Sequence, residues 1–183
     1  MILASLKPYY YYLIGEKKKD IEVRKSALKD LPQDIVFYMS KDEKSFAKIP
    51  KEFQEKYRKH FGKVGIMAVV DNVFLIKNQG IGFSVAGEEQ SVMNEIARQS
   101  CLYYDDMVSY LGNKDGYGWH LDNVEFYDKP KELSEFRKSG FMTEEEWLFN
   151  LYPNTHCHYD AWAKKFEITR PPQSYMFVEE FGD

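Results

Sequence analysis

The run Gly65-Ile66-Met67-Ala68-Val69-Val70-Asp71-Asn72-Val73-Phe74-Leu75-Ile76 is the most apolar stretch of the chain, and it does most to limit the fold. Its hydrophobic residues are nearly consecutive, which fits a central strand buried on both faces, with a bend at Asp71-Asn72. A second strand has the opposite pattern. In Asp20-Ile21-Glu22-Val23-Arg24 apolar and charged residues alternate. Period two puts Ile21 and Val23 on one face and Asp20, Glu22 and Arg24 on the other.

The remaining elements follow from local signals. Residues 2 to 6 read as a short apolar strand, Pro8 as the first position of a helix over Tyr9 to Ile14, and Gly15 as its C-cap. A turn at Leu31-Pro32-Gln33-Asp34 leads to a strand over Ile35 to Met39. Lys51 to His60 reads as a helix with Phe53 and Tyr57 on one side. Residues 78 to 87, with three glycines, read as a loop. Glu88 to Gln99 and Tyr104 to Leu111 read as helices. Tyr117 to Tyr127 is a long strand with a bulge at Asp122-Asn123, ended by Asp128-Lys129-Pro130. Leu133 and Phe136 mark a short helix, Thr143 an N-cap, residues 153 to 160 a polar loop and Tyr175 to Glu179 the last strand. Strands scattered among short helices give an α+β domain spanning residues 1 to 183, with helical insertions around 41–62 and 88–112.

Charge is distributed unevenly. Residues 1 to 66 carry 15 Lys and Arg against 9 Asp and Glu, a balance of +6, whereas residues 67 to 183 balance at -10. A basic first third is either an electrostatic footprint for an anionic polymer or a solvated Lys-rich surface. The 14 tyrosines suit a cleft or a core edge, because each buries a ring and keeps a polar handle. Two cysteines, Cys101 and Cys157, make no disulfide framework. There is no signal-peptide pattern and no apolar run long enough to span a membrane, so a cytoplasmic protein is expected.

Few constellations carry chemistry. His156-Cys157-His158 has metal donors at a spacing poor for a tetrahedral site, so no metal or cofactor is expected. Glu22 and Arg24 lie side by side on one strand face. They form either a surface ion pair or an acceptor and a planar fork offered to a ligand. Tyr117 and Trp119 make either a stacking surface for a base or part of the core. Arg170-Pro171-Pro172-Gln173-Ser174 is a stiff polar corner offering a guanidinium, an amide and a hydroxyl.

Together, Leu6-Lys7-Pro8-Tyr9, Gly15-Glu16 and Lys19 to Lys25 resemble the opening of the ASCH domain family. Tyr117-Gly118-Trp119-His120, Phe126 to Leu133 and Arg170 to Ser174 are similar to its later part, in the branch common among phage and Gram-positive bacteria. The resemblance implies a PUA-like mixed β-barrel of five or six strands with short helices outside and a cleft at one side. It also implies binding of RNA or a nucleotide-like ligand. Other members hydrolyse the N4-acyl group of acetylated cytidine or act as ribonucleases, so a small hydrolase is the alternative. In the amidohydrolase branch a Lys, a Thr three residues later and a distant Glu do the chemistry. Lys19 matches the Lys, Glu22 stands in place of the Thr, and the distant Glu has no counterpart here.

The expected ligand is therefore RNA, a nucleotide or a modified nucleoside. Glu22 and Arg24 would contact a base or phosphate edge. Lys7 and Lys19 would supply positive potential, and Trp119, Arg170 and Gln173 would close the pocket. In an enzyme, Lys19 and Glu22 would form the acid–base pair.

Overall fold

The computed structural model describes residues 1–80, 82–150 and 159–181. His156, Cys157 and His158 lie outside the described residues.

The chain opens with β1 (Ile2–Leu6), whose side chains are almost all buried. Helix α1 (Pro8–Gly15) follows at once, because Pro8 takes its first position and Lys7 is still extended. Next come β2 (Ile21–Arg24), β3 (Gln33–Met39), the one-turn helix α2 (Glu43–Phe46) and α3 (Lys51–Arg58). The long strand β4 (Val64–Asn78) carries the apolar run. After it come β5 (Phe83–Val85), α4 (Gln90–Ser100), α5 (Tyr104–Leu111) and a second long strand, β6 (Gly116–Lys131). The chain continues through a 3-10 turn at Leu133–Glu135, β7 (Phe136–Lys138), α6 (Glu144–Asn150), α7 (Tyr159–Ala163) and β8 (Tyr175–Glu180).

The strands form one eight-stranded mixed sheet ordered β2-β6-β4-β3-β1-β8-β7, with β5 paired to β4 beyond its β3 segment. The β1–β3 pair is parallel, and the other pairs are antiparallel. The expected barrel of five or six strands is thus corrected. Among the described residues the sheet has eight strands and stays open, with β2 and β7 at the ends of the strand order. The extra strands come from short pieces whose partners are distant in sequence: β5 inside the glycine-containing segment read as a loop, and β7 immediately after the 3-10 turn.

The two long strands turn the sheet. Register shifts occur between Met67 and Val69 and between Val70 and Asn72, and Asn123 has φ 50°. Both expected irregularities, at Asp71-Asn72 and Asp122-Asn123, are therefore bulges that bend paired strands. Asp128-Lys129-Pro130 does not end β6, which continues to Lys131 beside Val64. Gly15 is not the cap of α1 either. It lies inside the helix, and a Cβ there would come within 2.5 Å of the Tyr57 hydroxyl and 2.6 Å of Phe126. Its role is close packing. Thr143 does cap α6: its hydroxyl accepts from Glu146 N, and the Glu146 carboxylate accepts from Thr143 N at 2.9 Å. Tyr159 and Asp160, expected in a loop, begin α7.

Three buried clusters hold the layers together. One joins α1 and α3 to one face of the sheet through Tyr11, Tyr12, Tyr57, Ile66 and Trp119. A second packs α4 and α5 on Ile21, Val23, Ile76 and Phe83. A third lies on the opposite face from the first, around Leu3, Val36, Val64, Phe136 and Val178. Among the described residues no helix is long and apolar enough to cross a membrane.

Candidate functional site

The alternation in β2 is real, but neither face is solvated. Ile21 and Val23 enter the α4–α5 cluster, while Lys19, Glu22 and Arg24 are 1%, 8% and 4% exposed. Burial overturns the surface-ion-pair reading of Glu22 and Arg24. β2 ends the sheet, yet its polar face is covered by α1, by the end of α4 and by the segment leading into β8.

Within this cover Glu22 sits between two cations. One carboxylate oxygen is 3.2 Å from Lys19 Nζ, and the other is 3.1 Å from Arg24 Nε. The second contact is too poorly aligned to count as a hydrogen bond, so the Arg24 Nε–H has charge compensation without a good acceptor. Lys19 Nζ also donates to Ile21 O at 2.7 Å and Ser100 O at 2.6 Å. The ammonium thus makes two backbone hydrogen bonds and one ion pair, with Glu22. Ser100 is the last residue of α4, so the ammonium lies where the helix dipole favours a cation. Burial pushes the Lys19 ammonium below its ordinary pKa, and Glu22 opposes that shift.

Arg24 binds strands together. Nη2 donates to Ser5 O at 2.8 Å, Nη1 donates to Ser174 O at 3.1 Å, and the guanidinium lies 5.8 Å from the Trp119 ring centre. Trp119 pairs with Glu22 across β2 and β6. It is fully buried, and its indole N–H donates to Ser26 O at 3.1 Å. Of the two readings of Trp119, the structure takes the core one. His120, next on β6, pairs instead with Asp71 at 2.7 Å. Arg170 and Gln173 are both exposed. Their corner reaches the buried triad through the backbone of Ser174 rather than through those side chains.

The open concavity lies next to the triad. A cleft of about 340 Å³ is lined by Lys7, Tyr9, Tyr10, Asp42, Lys44, Ser45, Lys48 and Asp106. Tyr10 belongs to both places, because its ring centre is 5.5 Å from Lys19 Nζ. Desolvation first, then the charges of Asp106 and Glu22, raise the Tyr10 phenol above its ordinary pKa, so it stays a neutral hydroxyl. Ser45 is buried, and its hydroxyl accepts from Tyr9 N at 3.1 Å, which holds α1 and α2 in register. Asp42 caps α2 through Ser45 N at 3.0 Å. Among the described residues Lys7, Lys44 and Lys48 make no ion pair or side-chain hydrogen bond, unlike Lys56, Lys63, Lys77 and Lys131.

Of the site residues expected from the sequence, Lys7 lines this cleft, and the rest of its lining was not among them. Some signals were available. Four consecutive tyrosines on a short helix point about 100° apart, so they cannot all be buried. Tyr11 and Tyr12 go inside, while Tyr9 and Tyr10 stay half-buried at the rim. Lys44 and Lys48 belong to the first helical insertion and Asp106 to the second, and no local pattern says that the two meet.

No protein-family model matches the chain, and no curated protein matches it by sequence. Solved structures do match. A serine-to-alanine variant of the ASCH protein from Zymomonas mobilis aligns at TM-score 0.54 and 14% identity, covering 97% of this chain and 87% of that one. A tyrosine-to-phenylalanine variant of the same protein aligns at TM-score 0.52 and 14% identity, covering 97% and 89%. At that identity the likeness is one of fold, and the chain has the α+β fold of these ASCH proteins.

Proposed function

We propose that the chain binds RNA or a nucleotide-like ligand in the cleft between α1, α2 and α5. The observation that carries this reading is the set of three uncommitted lysines, Lys7, Lys44 and Lys48, beside the half-buried rings of Tyr9 and Tyr10. Ammonium groups neutralise phosphates, and aromatic rings stack on bases without regard to sequence. The shared ASCH fold and the +6 balance of residues 1 to 66 are consistent with it. In this reading Lys19, Glu22 and Arg24 are positioning residues. They fix β1, which runs into Lys7, and the ring of Tyr10. Arg170 and Gln173 extend the surface for a longer strand. Placement in the branch common among phage and Gram-positive bacteria is supported by the sequence motifs, and a cytoplasmic setting by the sequence's lack of a signal-peptide pattern.

The test is salt-dependent binding of a labelled single-stranded RNA to the wild type and to a Lys7→Ala, Lys44→Ala, Lys48→Ala variant. Each lost phosphate contact flattens the slope of log affinity against log salt by about 0.7 for a single strand, so three give about 2. An unchanged slope contradicts the reading.

A second reading is hydrolysis of an N4-acetylcytidine-type amide, or of RNA, with Lys19 and Glu22 as the acid–base pair. The lowered Lys19 pKa favours it. Against it, Lys19 is 1% exposed and already engaged by Ile21 O, Ser100 O and the Glu22 carboxylate. Turnover of N4-acetylcytidine by wild type and its loss in Lys19→Met would establish it, and the absence of turnover would remove it.

A further inference from the structure

The cleft combines three lysines, two carboxylates and two tyrosine rings in a small volume. From this lining and its volume we infer that the ligand is a single nucleotide bearing a terminal phosphate monoester, either free or at the end of an RNA chain. The inference rests on the binding reading above and narrows its ligand.

Size comes first. About 340 Å³ is near the lower end of the roughly 300–1,000 Å³ typical of small-molecule sites, which is room for one nucleotide and not for a duplex. Charge comes second. Lys7, Lys44 and Lys48 supply three cations, while Asp42 and Asp106 supply two anions, so the lining sums to +1. A monoester carries about −1.5 to −2 charges at neutral pH, more than the single charge of a backbone diester. It gains more from three lysines than a diester does, whereas a triphosphate carries more negative charge than a lining of +1 can offset. Those carboxylates are acceptors and suit ribose hydroxyls or a base amine. Tyr9 and Tyr10, with ring centres 5.9 Å apart and planes tilted by 59°, give the base an aromatic wall. A ligand complementary to this lining carries an anionic group, hydroxyls and a flat ring.

Calorimetric titration tests this with cytidine, cytidine 5′-monophosphate, adenosine 5′-monophosphate, and a short RNA with and without a 5′-phosphate. The expected result is that each monophosphate binds at least about tenfold tighter than its nucleoside. That advantage should shrink as pH falls from 7.5 to 5, because the monoester loses its second charge near pH 6. Lys44→Ala with Lys48→Ala should abolish the advantage. If only the 5′-phosphorylated RNA shows the preference, the terminal nucleotide of a chain is the source. If free monophosphates alone bind, the free nucleotide is. If RNA binds equally with and without the phosphate and no monophosphate binds, this inference is overturned while the RNA-binding reading stands. If none of the ligands binds, both fall.

Discussion

Replacing Glu22 by Gln should cost far more stability than the loss of a surface ion pair. The substitution is nearly isosteric, so packing is kept and only the charge is removed. Glu22 is the anion closest to two buried cations, 3.2 Å from Lys19 Nζ and 3.1 Å from Arg24 Nε. Deleting one partner of a buried ionic cluster typically costs about 3–5 kcal/mol, because the remaining charge is left uncompensated in a poorly solvated place. Two features favour the low end here. The Glu22 side chain keeps 11% exposure, and both cations retain backbone acceptors at Ile21, Ser100, Ser5 and Ser174. A loss of about 3 kcal/mol is expected, or roughly 6–12 °C in melting temperature for a chain of this length. Urea unfolding followed by tryptophan fluorescence measures it, since Trp119 is fully buried. Glu43→Gln is the control, because Glu43 pairs with Arg58 at 2.9 Å while both side chains are more than half exposed. Such a pair is worth under about 1 kcal/mol. If Glu22→Gln loses no more than Glu43→Gln, the triad is not a buried electrostatic unit and the account of β2 fails.

Two further perturbations probe the frame behind the cleft. His60 is buried against Tyr11, with Nδ1 3.2 Å from the phenol oxygen, and burial followed by the charges of Lys59 and Lys56 lowers its pKa to about 4. Its ordinary value is about 6.5, so between these values the unfolded chain binds more protons. The His60 contribution is therefore fully present above about pH 6.5 and is lost as pH falls towards 4, by up to about 3 kcal/mol. Unfolding free energies at pH 7 and 4.5 should show this fall in wild type and a smaller one in His60→Asn; parallel behaviour would contradict it. Gly65→Ala would drive a methyl group into His60 Nδ1 and within 2.6 Å of the Tyr11 hydroxyl, at a cost of about 1–3 kcal/mol, whereas Gly82→Ala meets nothing within 4 Å and should be near neutral in the same unfolding assay.

What was legible in the sequence was mostly local. The apolar run of β4, the alternation of β2, Pro8 at the start of α1 and the Thr143 cap each carry their signal within a few residues. Asp71-Asn72 showed as a polar break in the apolar run, and Asp122-Asn123 as a slip in alternation. What could not be read was non-local. The triad is buried because the end of α4 and the Ser174 loop close over β2, from positions 81 and 150 residues away in the Lys19–Ser100 and Arg24–Ser174 hydrogen bonds. Alternation cannot tell a polar face open to water from one closed over by remote segments. Gly15 looked like a cap because it follows an aromatic helix, and only the approach of Tyr57 and Phe126 explains it. The cleft is the clearest case. Lys7 carried a motif signal, but Lys44, Lys48 and Asp106 join it only through the meeting of two helical insertions.

The central claim is that ligand binds between α1, α2 and α5. Mapping backbone amide chemical shifts during titration with single-stranded RNA or a nucleoside monophosphate tests it most directly. The account predicts that the largest shifts fall on residues 7 to 10, 42 to 48 and 104 to 107, with smaller ones at Lys19 and Glu22 behind Tyr10. Shifts concentrated on β7 and β8, with the 42–48 segment silent, would contradict it.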